Sequence, residues 1–90
     1  AQGFQFFIEQ DKQEFYPGDS FRLSNLAQLS VSCPGKALIR IVRNGCEWLQ
    51  GIGGRVSAPI KETGVYRVEA FLKSAGRFRP WIFSNPIFVK

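Results

Sequence analysis

Apolar and polar residues alternate with a period of two along most of the chain, and no stretch carries the 3.6-residue stripe of a helix. Such alternation marks half-buried strands, whose successive side chains point to opposite faces. A first strand is expected over Phe4 to Glu9. Tyr16-Pro17-Gly18-Asp19 then reads as a turn, because Pro presets φ at its second position and Gly accepts positive φ at its third. Phe21 to Leu23 gives a brief strand. Leu26 to Cys33 gives a half-buried one, with Leu29, Val31 and Cys33 set against Ser30 and Ser32, and Pro34-Gly35-Lys36 is expected to turn it.

The clearest strand runs from Ala37 to Arg43, with Ala37, Ile39 and Ile41 on one face and Leu38, Arg40 and Val42 on the other. Asn44-Gly45 follows it, the strongest short hairpin signal, since both residues tolerate the positive φ of a type I′ turn. Cys46 to Gln50 returns, Gly51 to Gly54 reads as a loop, and Arg55 to Pro59 as a short strand. Gly64 to Leu72 sets Tyr66, Val68, Ala70 and Leu72 against Val65, Arg67, Glu69 and Phe71. Lys73 to Arg79 is a polar tip. Trp81 to Val89 is the last strand, broken at Asn85-Pro86 because Pro cannot donate to a ladder. The spacing of turns predicts an all-β fold: an antiparallel two-sheet immunoglobulin-like sandwich of about seven strands. It is expected to fill residues 1–90 as a single domain, one excised from the C-terminal end of a larger protein.

Composition narrows the chemistry. With 44% hydrophobic and 14% aromatic residues, and nine Phe, there is material for a small core built on large rings. The chain has no histidine, which removes the commonest general base and the commonest transition-metal ligand together. Two cysteines alone cannot complete a four-ligand zinc site. The acids Glu9, Asp11, Glu14, Asp19, Glu47, Glu62 and Glu69 are scattered, with no calcium loop among them. No catalytic, cofactor-binding or metal-ligating residues are therefore expected, and the chain by itself is not expected to be an enzyme.

A net charge of +5 raises nucleic acid as a partner, but the Lys and Arg residues are spread from Lys12 to Lys90 and form no stripe. Their densest group, Lys73, Arg77 and Arg79, lies in the polar tip, so a solvated basic surface is preferred and nucleic acid is not the expected partner. No run approaches the roughly 20 apolar residues of a spanning helix, so no membrane partner is expected.

Four constellations stand out. Glu62-Thr63-Gly64-Val65-Tyr66 has the rhythm of a tyrosine corner, in which the hydroxyl bonds back to upstream backbone. Arg79-Pro80-Trp81-Ile82-Phe83 alternates so that Trp81 and Phe83 share a face, opposite Ile82 and beside Phe71. Either these rings lie outside the fold as an interaction surface, or a loop or the N-terminal segment covers them. Gly51-Ile52-Gly53-Gly54-Arg55 has glycines enough for a phosphate cradle, but no helix pattern follows, so a plain loop is preferred. Cys33 and Cys46 flank the 37–43 strand, whose length of roughly 20 Å at about 3.3 Å per residue separates them, and both are expected to be reduced.

The strings "GVYRVEAFL" from Gly64 and "RPWIFSNPIFV" to Val89, with "ALIRIVRNG" at 37–45, "GFQFFIEQ" at 3–10 and "GD" at 18–19, carry a resemblance. The chain resembles the C-terminal β-sandwich that follows the catalytic domain in some bacterial metal-dependent phosphoesterases of the PHP (polymerase and histidinol phosphatase) superfamily. That resemblance implies an appended domain without the His and Asp clusters with which the PHP catalytic domain holds metals. Its implied partner is the catalytic domain of the same polypeptide, with a cytoplasmic location slightly favoured. The expected interaction surface comprises Trp81, Phe83, Phe71, Arg79 and Trp48. The rival reading is a carbohydrate-binding module that stacks sugar rings on Trp48, Trp81 and Phe83.

Overall fold

A computed structural model describes residues 3–74 and 76–90; the opening residues Ala1 and Gln2, and Ala75 within the 73–79 tip, lie outside the described residues. The eight strands are β1 (Gln5–Gln10), β2 (Gln13–Phe15), β3 (Ser20–Phe21), β4 (Ala27–Arg43), β5 (Cys46–Ile60), β6 (Gly64–Ser74), β7 (Arg77–Phe83) and β8 (Ile87–Val89). No helix occurs among the described residues. All strands join one sheet in the order β2-β1-β4-β6-β8-β3, with β5 also on β4 and β7 also on β6. Every pairing is antiparallel except the short parallel one between β3 and β8.

The sheet nearly closes into a barrel because the two ends of this order, β2 and β3, are neighbours in sequence. The turn between them is the one expected at Tyr16–Asp19. Asp19 N donates to Tyr16 O at 2.8 Å, and Gly18 takes φ 96°, the type II geometry that Pro-Gly supports. Gly18 N also donates to Pro86 O at 2.8 Å, and Phe15 stacks on Phe21 at 4.2 Å, so the turn ties β2 and β8 together.

Strand β4 is the centre of the fold. Its first part pairs β1 from Ala27↔Gln10 to Ser32↔Gln5, and its second part pairs β6 from Leu38↔Phe71 to Arg43↔Tyr66. Strand β5 follows its other edge along both parts. The Cys33–Lys36 stretch, expected to end a strand, instead bends a continuous one, with a register shift between Ser32 and Ala37. The Gly51–Gly54 stretch, expected as a loop, is likewise inside β5. Gly54 is needed there because a Cβ would sit 3.2 Å from the carbonyl oxygens of both Cys33 and Gly35. Short β2 carries no alternation and was not legible; it exists because β1 offers it an edge.

The bend lets both parts of the sheet bury their inner faces in one core. Phe6, Ile8, Leu29 and Val31 meet Ile39, Ile41, Val68, Ala70 and Ile87 there. The alternation read from the sequence groups Leu29 with Val31, Ile39 with Ile41, and Val68 with Ala70 correctly. Asn44 and Gly45 adopt φ 53° and 82°, the type I′ turn, and Arg43 pairs Cys46 across it. Asn44 Oδ1 accepts from Val65 N at 2.9 Å, so the same turn anchors the start of β6. Buried Gln10 accepts from Ser24 N at 3.0 Å and donates to Arg22 O at 3.1 Å, which fixes the 22–25 loop. Cys33 is buried at the bend and Cys46 exposed at the hairpin turn; both are free thiols.

The tyrosine corner is formed. Tyr66 is 1% exposed, and its hydroxyl donates to Glu62 O at 2.8 Å. Burial pushes the phenol's pKa up, while the Arg43 guanidinium pulls it down. A raised folded-state pKa means that this contribution to stability is full below the ordinary tyrosine range and is lost as pH rises through it. Tyr66→Phe is expected to lower unfolding free energy by about 1 kcal/mol at neutral pH. Denaturant melts at neutral and alkaline pH check this: the wild type should lose stability into the tyrosine range more steeply than the variant. Equal stability at neutral pH contradicts a structural role for the hydroxyl.

Candidate functional site

Strand register builds an outer face from residues that alternate with the core. Because Ile39, Ile41, Val68 and Ala70 point inward, Leu38, Arg40, Val42, Arg67, Glu69 and Phe71 point outward. Across β5, Leu38 faces Ile52, Arg40 faces Gln50 and Val42 faces Glu47. Across β7, Glu69 faces Phe83, Phe71 faces Pro80 and Lys73 faces Phe78. The result is an apolar strip, Ile52–Leu38–Phe71–Phe83, running across four strands. Ile52 is 71% exposed and Phe83 61%, whereas Leu38 beneath them is buried.

An ionic network crosses the same face. Arg40 Nη1 lies 3.2 Å from Glu69 Oε1, and Arg67 Nη1 lies 2.6 Å from Glu69 Oε2. Arg40 Nε lies 3.0 Å from Glu47 Oε1, an ion pair without the alignment of a hydrogen bond. The Arg40 guanidinium also covers Phe71, 5.2 Å from its ring centroid, and Phe83 meets Phe71 edge-on at 6.0 Å. Glu69, little exposed between two arginines, is therefore compensated, and one of them, Arg40, also contacts the Phe71 ring.

The five expected surface residues separate. Phe71 and Phe83 meet as expected. Trp81 does not share their face. A register shift between Ala70 and Phe71 leaves Trp81 without a partner on β6, a β-bulge, and the extra residue breaks the alternation. Trp81 and Ile82 both pack against the core while Phe83 points out. Arg79 pairs Leu72, a residue on the core side, and so leaves the Phe71 face. Trp48 is also a bulge, between Leu49↔Ile41 and Glu47↔Val42, and lies at a different place altogether.

Trp48 borders an open cleft of about 490 Å³ between the two halves of β5, with Leu49, Ala58, Pro59 and the Lys61-Glu62 loop around it. Its ring meets Tyr66 edge-on at 5.5 Å. Arg43 closes one side, donating to Thr63 O at 2.7 Å and pairing Glu62 at 3.1 Å. Sequence reasoning missed Ile52, placed in a loop, and Phe78, placed in a tip. Leu38 and Phe71 were each assigned the correct face, and pairing those two strands was the signal that could have joined them.

Among the described residues no group of three or more His, Cys, Asp or Glu side chains is placed to hold a metal ion. Burial raises the Cys33 thiol pKa, which keeps it protonated and a poor nucleophile. Comparison of the chain with protein-family models, with curated proteins and with solved structures finds no match.

The bulge separates the two rings energetically. Trp81→Ala, removing a half-buried ring packed on the core, is expected to cost about 2 kcal/mol, below the cost for a fully buried Trp. Phe83→Ala should cost under about 1 kcal/mol, as for an exposed side chain. Urea unfolding of the two variants checks the ranking; a reversed order contradicts the assignment of faces.

Proposed function

We propose that this chain is a non-catalytic accessory β-sandwich module that packs on a metal-dependent phosphoesterase catalytic domain of the PHP superfamily in the same polypeptide. The observation that carries the docking role is the outer-face strip, with Phe83 and Ile52 exposed above a buried Leu38. Contiguous exposed apolar area rimmed by compensated charge is the make-up of a protein contact. The family part of the reading rests on the strings at 37–45 and 64–89. The tyrosine corner at Tyr66 supports reading the bent sheet as the two facing layers of an immunoglobulin-like sandwich.

A carbohydrate reading retains one observation in its favour. Trp48 stands in a cleft with Arg43, Lys61 and Glu62, a ring beside hydrogen-bonding groups. Phe83 and Trp81 are not part of that cleft, so a sugar would stack on Trp48 alone.

The reading frame of the gene is the first check, and a His-rich catalytic segment in the same polypeptide is the expected result. With that segment produced separately, calorimetric titration should detect binding to this chain. Phe83→Asp should weaken it by about tenfold or more, equivalent to about 1.4 kcal/mol, without unfolding the module. Binding unchanged by Phe83→Asp contradicts the docking surface. Glycan-array binding abolished by Trp48→Ala would favour the carbohydrate reading instead.

A further inference from the structure

Strand β5 is fifteen residues long, and among the described residues it pairs only with β4. One whole edge of its main chain is therefore open. Natural edge strands are guarded by charges, prolines or twists. Here the stretch Trp48-Leu49-Gln50-Gly51-Ile52-Gly53-Gly54 carries neither charge nor proline, and it is framed by Glu47 and Arg55.

The order of residues about Gly51 is self-complementary. An antiparallel pair of β5 edges with Gly51 opposite Gly51 sets Gln50 against Ile52 and Leu49 against Gly53. It also sets Trp48 against Gly54 and Glu47 against Arg55. Two features match that would otherwise conflict. Trp48 is the bulge of β5, and Gly54 lies opposite the irregular Cys33–Lys36 bend of β4. Each copy's bulge would thus face the other's bend, and bulges bend strands. Opposite charges close both ends, because Glu47 and Arg55 both take outer-face positions, opposite Val42 and Ser32. Glu47 is already held by Arg40, while Arg55 is exposed and has no ion-pair partner among the described residues.

We propose that two copies of this chain associate through the free edge of β5, about a twofold axis at Gly51, with Glu47 of each copy meeting Arg55 of the other. Such a contact is isologous: the same patch serves both copies, and the dimer closes on itself. The sheets then run on from copy to copy, and the open main-chain groups of Leu49 to Gly53 find partners. This site is the main-chain edge of β5; it shares Ile52 with the apolar strip but not Phe71 or Phe83, so it stands whether or not those rings dock a catalytic domain.

Sedimentation equilibrium of this chain, wild type and charge variants, tests it. The wild type is expected to be a monomer–dimer equilibrium. Arg55→Glu sets Glu against Glu47, and Glu47→Arg sets Arg against Arg55, so each should raise the dissociation constant about tenfold or more. An equimolar mixture of the two variants restores both opposite-charge contacts and should dimerise where neither does alone. Circular dichroism checks the fold. If Glu47→Arg unfolds by losing Arg40, Arg55→Glu together with Ile52→Lys on the exposed edge carries the test. A wild type monomeric at about 1 mM, the weak end of specific association, overturns the proposal. So does a pair of variants that dimerise as tightly as the wild type.

Discussion

The continuity of β4 across its bend is the constraint on which the other elements depend. Both edges of β4 are occupied, by β1 and then β6 on one side and by β5 on the other. Its inner positions Leu29, Val31, Ala37, Ile39 and Ile41 are all buried, so a slip of one residue would turn this whole row away from the core to the outer face. The register is held at the hairpin by Asn44-Gly45, both at positive φ, and at the bend by Gly54, where a Cβ would crowd the carbonyl oxygens of Cys33 and Gly35. The remaining strands then add to edges already in place.

That constraint also explains where the surface features fall. The second half of β4 is covered on both faces, since Leu38 and Val42 are buried although they lie outside the inner core. Neighbouring strands supply the cover: Phe71 and Ile52 beside Leu38, and Arg67 and Glu47 beside Val42. A thick, apolar, charge-compensated outer face is the consequence. The open edge has the same origin, because a strand that follows β4 along its full length leaves its own far side without a partner. The Trp48 cleft forms where the bend brings the two halves of that strand toward each other.

What was legible in the sequence was local. Alternation at 37–43 and 64–72 gave the correct faces because side-chain direction is a property of the strand itself. Pro17-Gly18 and Asn44-Gly45 were readable because positive φ leaves a residue signature, and Tyr66 because its bond reaches only four residues back. The rest depended on partners. Pro34-Gly35 and Gly51–Gly54 look like chain reversals taken singly, yet facing each other they form a paired bend. The bulges at Trp48 and Trp81 are set by the strand opposite, so alternation carried past them assigned Trp81 to the wrong side. Phe71 and Phe83, which flank that bulge, were assigned correctly.

Amide hydrogen exchange read residue by residue tests the central role of β4 most directly. Local openings expose edge strands first, while the slowest amides report global unfolding. With β4 as one continuous central strand, its bonded amides on both sides of the Cys33–Lys36 bend should exchange in a single slowest class. In dilute, monomeric protein the amides of β5 that face away from β4 should exchange much faster. If residues 27–32 and 37–43 instead fall into two classes of different stability, the halves open independently, and the account of a single bent strand organising the fold is contradicted.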